Sequence, residues 1–478
     1  MEKISKPNIL LITTDQQRFD TINALGNERI FTPHLNWLCD EGITFTRAYA
    51  DCPVCIPSRA TIMTGLPGYK TGIVDNARHD LNLTNTIPEI LTREGYQTRA
   101  QGKMHFVPFR RNYGFEHMEL PMDYFREQAR LGKFPKEHGV GENEMEPVIS
   151  TVHENDSLTH WTVRRSIDFL ETRDESRPFF LWTSFTKPHP PYDPPLNYWQ
   201  LYEGMEMPEP VYGNWSKNES DIPWGFMHYV THRLNRVNRL TPSQVKQIRR
   251  AYYACITHID YSLGLLFSSM RELGLFKDTW IIFTTDHGDM MGDHHMGAKS
   301  LFFEASAHIP LIIRPPDGIP FNPDETGSTC NKTCTLADIY PTILNMAGVP
   351  HPENGGLDLM KAYADKNMKN RTIYSNMRNS FFGILKDSYK YLWILYGGGE
   401  LLFDIQNDPY EQNNLIGVAE YDEIKNDMVS ELLSFVHEHE IPVLDKGELT
   451  INHTSPLKQG FRRSPGFSSK AKPSDTLH

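Results

Sequence analysis

The sequence predicts an α/β fold: a mostly parallel central sheet flanked by helices, followed by a small C-terminal antiparallel sheet with a helix. Three observations predict it. Short runs that are apolar on both faces alternate with longer amphipathic segments. Those segments have legible ends. From about residue 375 the texture changes to short strands joined by tight turns.

The apolar runs are Asn8–Thr14, Phe179–Phe185, Trp280–Thr285 and Pro310–Arg314, which read as parallel strands covered on both faces. Thr32-Pro33 opens a helix that Gly42 closes, and Thr86-Ile87-Pro88 opens one that Gly95 closes. The clearest helix begins at Thr241-Pro242. Val245, Ile248, Tyr252, Ile256, Ile259, Leu263 and Leu266 then follow at three-to-four spacing, an apolar face about six turns long. In the C-terminal part, Phe381–Leu385, Tyr389–Leu395 and Glu400–Phe403 read as strands, with Gly397-Gly398-Gly399 at a turn. A helix follows, with Ile424, Met428, Leu432, Phe435 and Val436 on one face. The organisation expected is a catalytic α/β unit over 1–374, an antiparallel subdomain over 375–445 and a polar tail over 446–478.

Length and composition narrow the class. The chain has 478 residues, 39% of them hydrophobic, enough for a sizeable core. A net charge of −12 has the wrong sign for a general nucleic-acid binder, so an anionic substrate must meet a local positive site. No apolar run approaches the ~18 residues of a membrane span. The N-terminal apolar stretch Ile9–Ile12 runs into Thr and Asp and reads as a strand, not a signal-peptide core. The expectation is a cytoplasmic protein as written, periplasmic or secreted if a leader was removed. Cys39, Cys52, Cys55, Cys255, Cys330 and Cys334 make no disulfide framework in so long a chain. Cys52 and Cys55 form a lone CxxC without a second pair to complete a zinc site.

Two of the predicted strands end in groups of metal-ligand type: Asp15-Gln16 after the first, Asp286-His287 after the third. Ligands of open α/β sheets gather beyond the carboxyl ends of strands. Carboxylates with an amide oxygen suit a hard cation such as Ca²⁺, Mg²⁺ or Mn²⁺, and an imidazole tilts toward a transition metal. Either pair alone is better explained as a helix cap. A third element adds to them: Cys55-Ile56-Pro57-Ser58-Arg59, followed by Thr64-Gly65. Pro57 near a helix start would place Cys55 at a helix N-terminus, where the dipole favours negative charge.

This Cys-x-Pro-Ser-Arg phrase resembles the signature of the type I sulfatases of the alkaline phosphatase superfamily, whose cysteine is oxidised to formylglycine. The resemblance covers nearly the whole chain. It implies one divalent metal, Ca²⁺ first with Mn²⁺ or Mg²⁺ open, held by Asp15, Gln16, Cys55, Asp286 and His287. Gly102-Lys103-Met104-His105 resembles the family's Gly-Lys-x-His, which supplies Lys103 and His105 to the sulfate pocket. Lys187-Pro188-His189 resembles the segment carrying a further histidine, His189, and Lys299 falls where the family has a lysine on the sulfate oxygens. Leu402-Phe403-Asp404 with Asp408-Pro409-Tyr410-Glu411 and Asn414-Leu415 matches the C-terminal phrase. The resemblance also implies a maturing enzyme as partner and a possible homo-oligomer.

The chemistry then follows physically. Attack on a sulfate ester comes at sulfur, and positive groups (the metal, Arg59, Lys103 and Lys299) stabilise charge on its outer oxygens. His189 or His105 could protonate the leaving alcohol. A diol nucleophile can expel sulfate by reforming the aldehyde, where a serine would be left as an inert ester. Gln16 and His287 stand where many sulfatases carry Asp and Asn. The same Asp-Gln and Asp-His pairs occur in phosphonate monoester hydrolases and choline-sulfatase-like relatives, which remain competitors. Arg78, His79 and Arg110 would suit a second anion on the substrate, such as a uronate carboxylate. The expectation is therefore an alkyl sulfate ester on a carbohydrate, with a phosphonate monoester or phosphodiester as the alternative substrate.

Overall fold

The computed structural model describes residues 6–76, 80–133, 145–227, 240–317 and 327–454. Eight strands build the central sheet: β1 Asn8–Asp15, β2 Ile43–Phe45, β3 Gln97–Gly102, β4 His117–Glu119, β5 Phe179–Pro188, β6 Thr279–Thr285, β7 Leu311–Arg314 and β8 Ser328–Cys330. They lie in the order β4-β3-β5-β1-β6-β7-β2-β8. β1 sits in the middle with all eight residues buried, parallel to β5 on one side and β6 on the other. Leu10 faces Leu181 and Ile281 across these two ladders. A strand with helices over both faces has no solvated side, which is why its sequence is apolar without alternation.

One expectation needs correcting, and one strand was not foreseen. The segment 310–314 forms a strand, but β7 runs antiparallel to β6, with Ile282 opposite Ile313. Between Thr285 and Leu311 the longest α-helix is only Glu304–Ala307, too short to carry the chain back across the sheet, so it returns the opposite way. β3 is not among the predicted strands, because QTRAQG carries no strand signal. Five of its six residues are buried nonetheless. Its polar groups are met locally: Gln97 Nε2 donates to the carbonyl of Asp174 at 2.7 Å, and Thr98 Oγ1 lies 2.6 Å from Thr92 Oγ1.

The helices follow their punctuation. α1 is Pro33–Glu41, α2 Cys55–Thr64, α3 Ile87–Arg93, α4 Leu158–Thr172 and α5 Pro242–Glu272. Thr86 Oγ1 accepts from Glu89 N at 3.2 Å and Thr241 Oγ1 from Gln244 N at 3.3 Å, each within a capping box. The 31-residue α5 buries the expected face; Ile259, Leu263 and Leu266 pack with Val163, Ile167 and Leu170 of α4 over Leu10, Ile12 and Leu181.

The C-terminal sheet is antiparallel throughout, ordered β9 Ile373–Met377, β10 Phe381–Lys386, β11 Tyr389–Ile394 and β12 Glu400–Asp404. Helix α6, Asp422–Glu438, lays Met428, Leu432, Phe435 and Val436 on Phe382, Ile384, Tyr391 and Trp393. The opposite face, with Phe381, Leu385, Leu392 and Ile394, packs on Leu301, Phe302 and Phe303 of the main part. No described helix is long and apolar enough to cross a membrane.

Candidate active site

The site forms where β1, β3, β5 and β6 end. Thr14 and Thr285 are in register, so Asp15 and Asp286 leave the sheet side by side. Gln16 then turns into the left-handed region at φ 73, and its N–H donates to Asp286 Oδ1 at 3.0 Å. Two glycines are required for their close approaches. A Cβ on Gly102, itself at φ +91, would lie 2.1 Å from the carbonyl of Ser184; one on Gly288 would lie 2.2 Å from that of Ala305. No side chain fits at either position, which accounts for the glycine beside Lys103 and beside His287.

Cys55 is the first residue of α2, fully buried. Its Sγ lies 3.2 Å from His287 Nε2 and 4.0 Å from Asp15 Oδ1. Ligand atoms of Asp15, Cys55, Asp286 and His287 all lie within 4.8 Å of one another. His287 Nδ1 is 3.0 Å from the carbonyl of Gly288, an arrangement that places a proton there and turns Nε2 toward the thiol. Arg59 ties the acids together from behind. Its Nε donates to Asp286 Oδ2 at 3.0 Å, and its terminal nitrogens to Asp15 Oδ2 at 3.3 Å, Ser184 Oγ at 2.8 Å and the carbonyl of Lys103 at 2.5 Å. With 1% of its side chain exposed and its donors engaged, Arg59 holds ligands in place and does not itself face the opening.

The electrostatics are those of buried acids crowded together beside cations. Burial pushes the Asp15 carboxyl up, but Lys103 at 2.6 Å, with His189, Arg59 and Lys299 behind it, outweighs burial and holds it well below the usual range. Burial and the neighbouring Asp15 push Asp286 the other way, up. Burial and Asp15 also oppose ionisation of Cys55; Lys299, His287 and a hydrogen bond from His105 overcome them, so the thiol sits well below its ordinary value. Two carboxylates, a thiolate-prone sulfur and an imidazole nitrogen so close together fit a divalent cation, which relieves the repulsion among the acids.

On the open side stand Lys103, His105, His189 and Lys299, all partly exposed. Lys299 Nζ donates to Gln16 Oε1 at 2.5 Å, and Gln16 Nε2 donates to Asp289 Oδ2 at 2.5 Å, so the amide predicted as a ligand is clamped from both ends. His189 Nδ1 lies 2.8 Å from the carbonyl of Pro190. Burial, Lys103 and Lys299 hold this imidazole well below its ordinary value, hence neutral. His105 Nδ1 is buried without a hydrogen-bond partner. Arg110 is ion-paired with Asp123 on the exposed surface. Arg78 and His79 lie outside the described residues.

Sequence reasoning missed Ser184, Asp289 and Tyr192. Ser184 Oγ donates to the carbonyl of Lys103 at 2.6 Å and accepts from Thr13 Oγ1 at 2.9 Å and from Arg59, joining three strand ends. Asp289 accepts from Gln16 and, at 2.6 Å, from the hydroxyl of Tyr192. A serine inside the apolar run FFLWTSF and an acid two residues past His287 were the signals available.

A family model described as Sulfatase matches residues 7–349. The chain belongs to the sulfatase family. A second model, described as N-sulphoglucosamine sulphohydrolase, C-terminal, matches residues 292–438 of the sulfatase. An arylsulfatase of Clostridium perfringens is 34% identical over 455 residues, covering 87% of this chain and 92% of its own length. A choline-sulfatase of Rhizobium meliloti is 30% identical over 434 residues, covering 86% and 82%. Among solved structures, the phosphonate monoester hydrolase of Agrobacterium radiobacter superposes with a TM-score of 0.78 at 23% identity, over 93% of this chain and 100% of its own. A protein solved in complex with its substrate D-glucosamine-2-N,6-O-disulfate gives 0.73 at 22% identity, over 93% and 100%. These likenesses establish the alkaline-phosphatase-like fold. As a member of its family, the enzyme is a sulfuric ester hydrolase.

Proposed function

We propose that this sulfatase hydrolyses an alkyl sulfate ester on a carbohydrate, through a formylglycine made from Cys55 beside a divalent cation, Ca²⁺ before Mn²⁺ or Mg²⁺. The observation carrying this reading is Cys55 at the start of α2, with its sulfur 3.2 Å from His287 Nε2 and grouped with Asp15 and Asp286. The cation would be held by Asp15, Asp286, His287 and residue 55, with Gln16 beside them. When bound, the cation and the hydrated aldehyde would supply positive charge for the developing oxyanion and a nucleophilic oxygen that can be regenerated. The chain's own residues do the rest. Lys103 and Lys299 meet the outer sulfate oxygens, where charge grows during attack. Arg59 and Ser184 fix Asp15 and the Lys103 backbone, so the lysine stays aimed. His189, with Nδ1 turned to Pro190, presents Nε2 to the opening. An arriving sulfate monoanion favours its protonation, after which Nε2–H, or His105, can pass the proton to the leaving alcohol.

The relative with a glucosamine disulfate bound supports the carbohydrate class, since its fold extends over nearly all of this chain. A second reading is favoured by the structural likeness to a phosphonate monoester hydrolase and by the choline-sulfatase relative: the same site acting on a phosphonate monoester, a phosphodiester or choline sulfate. The deciding experiment compares kcat/KM on sulfated monosaccharides, choline sulfate, an aryl sulfate and a phosphodiester. It is run on protein whose Cys55 peptide is about 18 Da lighter than the thiol form by mass spectrometry. Phosphodiester turnover above that of every sulfate would replace the first reading with the second.

A further inference from the structure

Besides the apolar face that packs on Leu301–Phe303, the C-terminal sheet touches the main part of the molecule at the turn between β9 and β10, near the start of the helix that Cys55 opens. Met377-Arg378-Asn379-Ser380 closes with Ser380 N donating to Met377 O at 3.1 Å, and its two central residues, Arg378 and Asn379, are both left-handed, at φ 59 and 51. Glycine or asparagine is the inexpensive choice in such a hairpin turn, and an arginine there is a conformational cost that persists mainly where the side chain is used.

Two contacts place the turn. Arg378 N donates to Val74 O at 3.0 Å, and its guanidinium pairs with Asp75. The next residue, Asn76, accepts from Ile56 N at 3.1 Å through its Oδ1, capping the helix that Cys55 begins. On the other flank, Met377 and Phe381 line a small cavity with Ser300, the residue after Lys299. The turn thus stands between the segment capping the nucleophile's helix and the loop carrying Lys299. Both members of the pair keep some exposure, 19% for the Arg378 side chain and 32% for Asp75.

We infer that Asp75 and Arg378 form a sugar-reading subsite, in which the arginine donates to, and the aspartate accepts from, hydroxyl groups neighbouring the sulfated carbon. The pair presents donors and acceptors together, as a diol requires. This rests on the carbohydrate reading above and assigns that substrate's recognition to the C-terminal sheet.

The test uses the full-length, formylglycine-bearing enzyme with Arg378→Ala, Arg378→Lys and Asp75→Asn. Steady-state constants are measured on a panel of monosulfated hexoses and hexosamines and on 4-nitrophenyl sulfate. The expected result is a loss in kcat/KM on the best sugar sulfate that exceeds the loss on the aryl sulfate by about tenfold or more. It should be carried mainly by KM, with Arg378→Lys intermediate. Equal losses on both substrates would show that the pair only fastens the turn, and would overturn the inference while leaving the carbohydrate reading standing. Failure of the wild-type enzyme on every sugar sulfate, with aryl sulfate still cleaved, would remove the carbohydrate reading and this subsite with it. Should Arg378→Ala not fold, Asp75→Asn, which keeps the shape of the side chain, gives the same comparison.

Discussion

Where the C-terminal sheet meets the main part, Lys390 is fully buried between Glu304 and Glu411, whereas beyond β1 and β6 buried acids share their space with cations that still face an opening. In the first region every charge is answered within the fold. Lys390 Nζ is 3.1 Å from Glu411 and also pairs with Glu304; Glu411 Oε2 accepts from Glu304 N at 2.8 Å; His308 Nδ1 is 2.9 Å from Glu304. In the second, Arg59 is saturated, but Lys103, His105, His189 and Lys299 are partly exposed, and Asp15, Asp286, Cys55 and His287 crowd one another. The chemistry of the side chains is similar in both. Closure makes the difference: a completed set of partners holds two layers together, and an incomplete set binds what completes it.

The comparison is broken most strongly at the incomplete cluster. Cys55→Ser, in a host that modifies only cysteine, and Asp286→Ala should each lower kcat/KM by about 10⁴-fold or more. Cys55→Ser should leave the melting transition nearly unchanged, whereas Asp286→Ala also leaves the buried Arg59 without one of its carboxylate partners and should lower it. Elemental analysis should find one divalent ion per wild-type chain and a loss of it in Asp286→Ala, because the remaining groups hold a hard cation poorly. Active protein with no stoichiometric metal would remove the metal from the account. At the completed cluster the expectation reverses. Lys390→Met leaves two buried carboxylates without their cation and should cost about 3–5 kcal/mol of stability by denaturant unfolding, whereas the folded fraction keeps its turnover.

The two clusters differed as much in legibility as in function. Asp15, Cys55, Asp286 and His287 could be found in the sequence because each follows a strand or opens a helix whose ends are marked. Proximity beyond strand ends is a consequence of the fold class itself. Lys103 was found by its motif alone, since its strand β3 is polar, and a buried polar strand is stabilised by particular hydrogen bonds that no hydropathy pattern reports. The antiparallel course of β7 could be inferred only from the shortness of the connection before it. Ser184 and the Lys390 cluster depend on contacts between residues far apart in sequence, Glu304 with Lys390 and Glu411, and period and composition carry no record of such pairing.

A smaller effect is expected from titrating the completed cluster. Burial, opposed in part by Lys390, pushes Glu411 up to about 7 from an ordinary 4.5. Glu304 is brought down to about 2: burial pushes it up, but Lys390 and His308 outweigh burial. The signs are opposite. Glu411 contributes stability present below pH 4.5 and lost as pH rises through about 7. Glu304 contributes stability present above pH 4.5 and lost as pH falls through about 2. Between about pH 5 and pH 7.5 the wild-type melting temperature should therefore fall by an increment that Glu411→Gln does not show. Glutamine keeps an acceptor for the Glu304 N–H, so the variant isolates the titration. Parallel profiles would mean that the pair is matched as evenly as a surface one.

The smallest effect belongs to a charge pair outside both clusters. Arg110 pairs with Asp123, and their side chains are 45% and 28% exposed. Exposed pairs contribute at most about 1 kcal/mol and are screened by salt, so Arg110→Ala should shift stability within that limit, and the shift should vanish near ~1 M salt. The kinetic consequence separates the two uses an arginine can have. If its charge belongs to Asp123, kcat/KM on a sulfated uronate should fall less than about tenfold, the equivalent of one weak pair. A larger loss confined to uronates, with an aryl sulfate unaffected to the same degree, would mean that Arg110 leaves Asp123 for a substrate carboxylate. That outcome would extend the incomplete cluster outward by one more cation waiting for its partner.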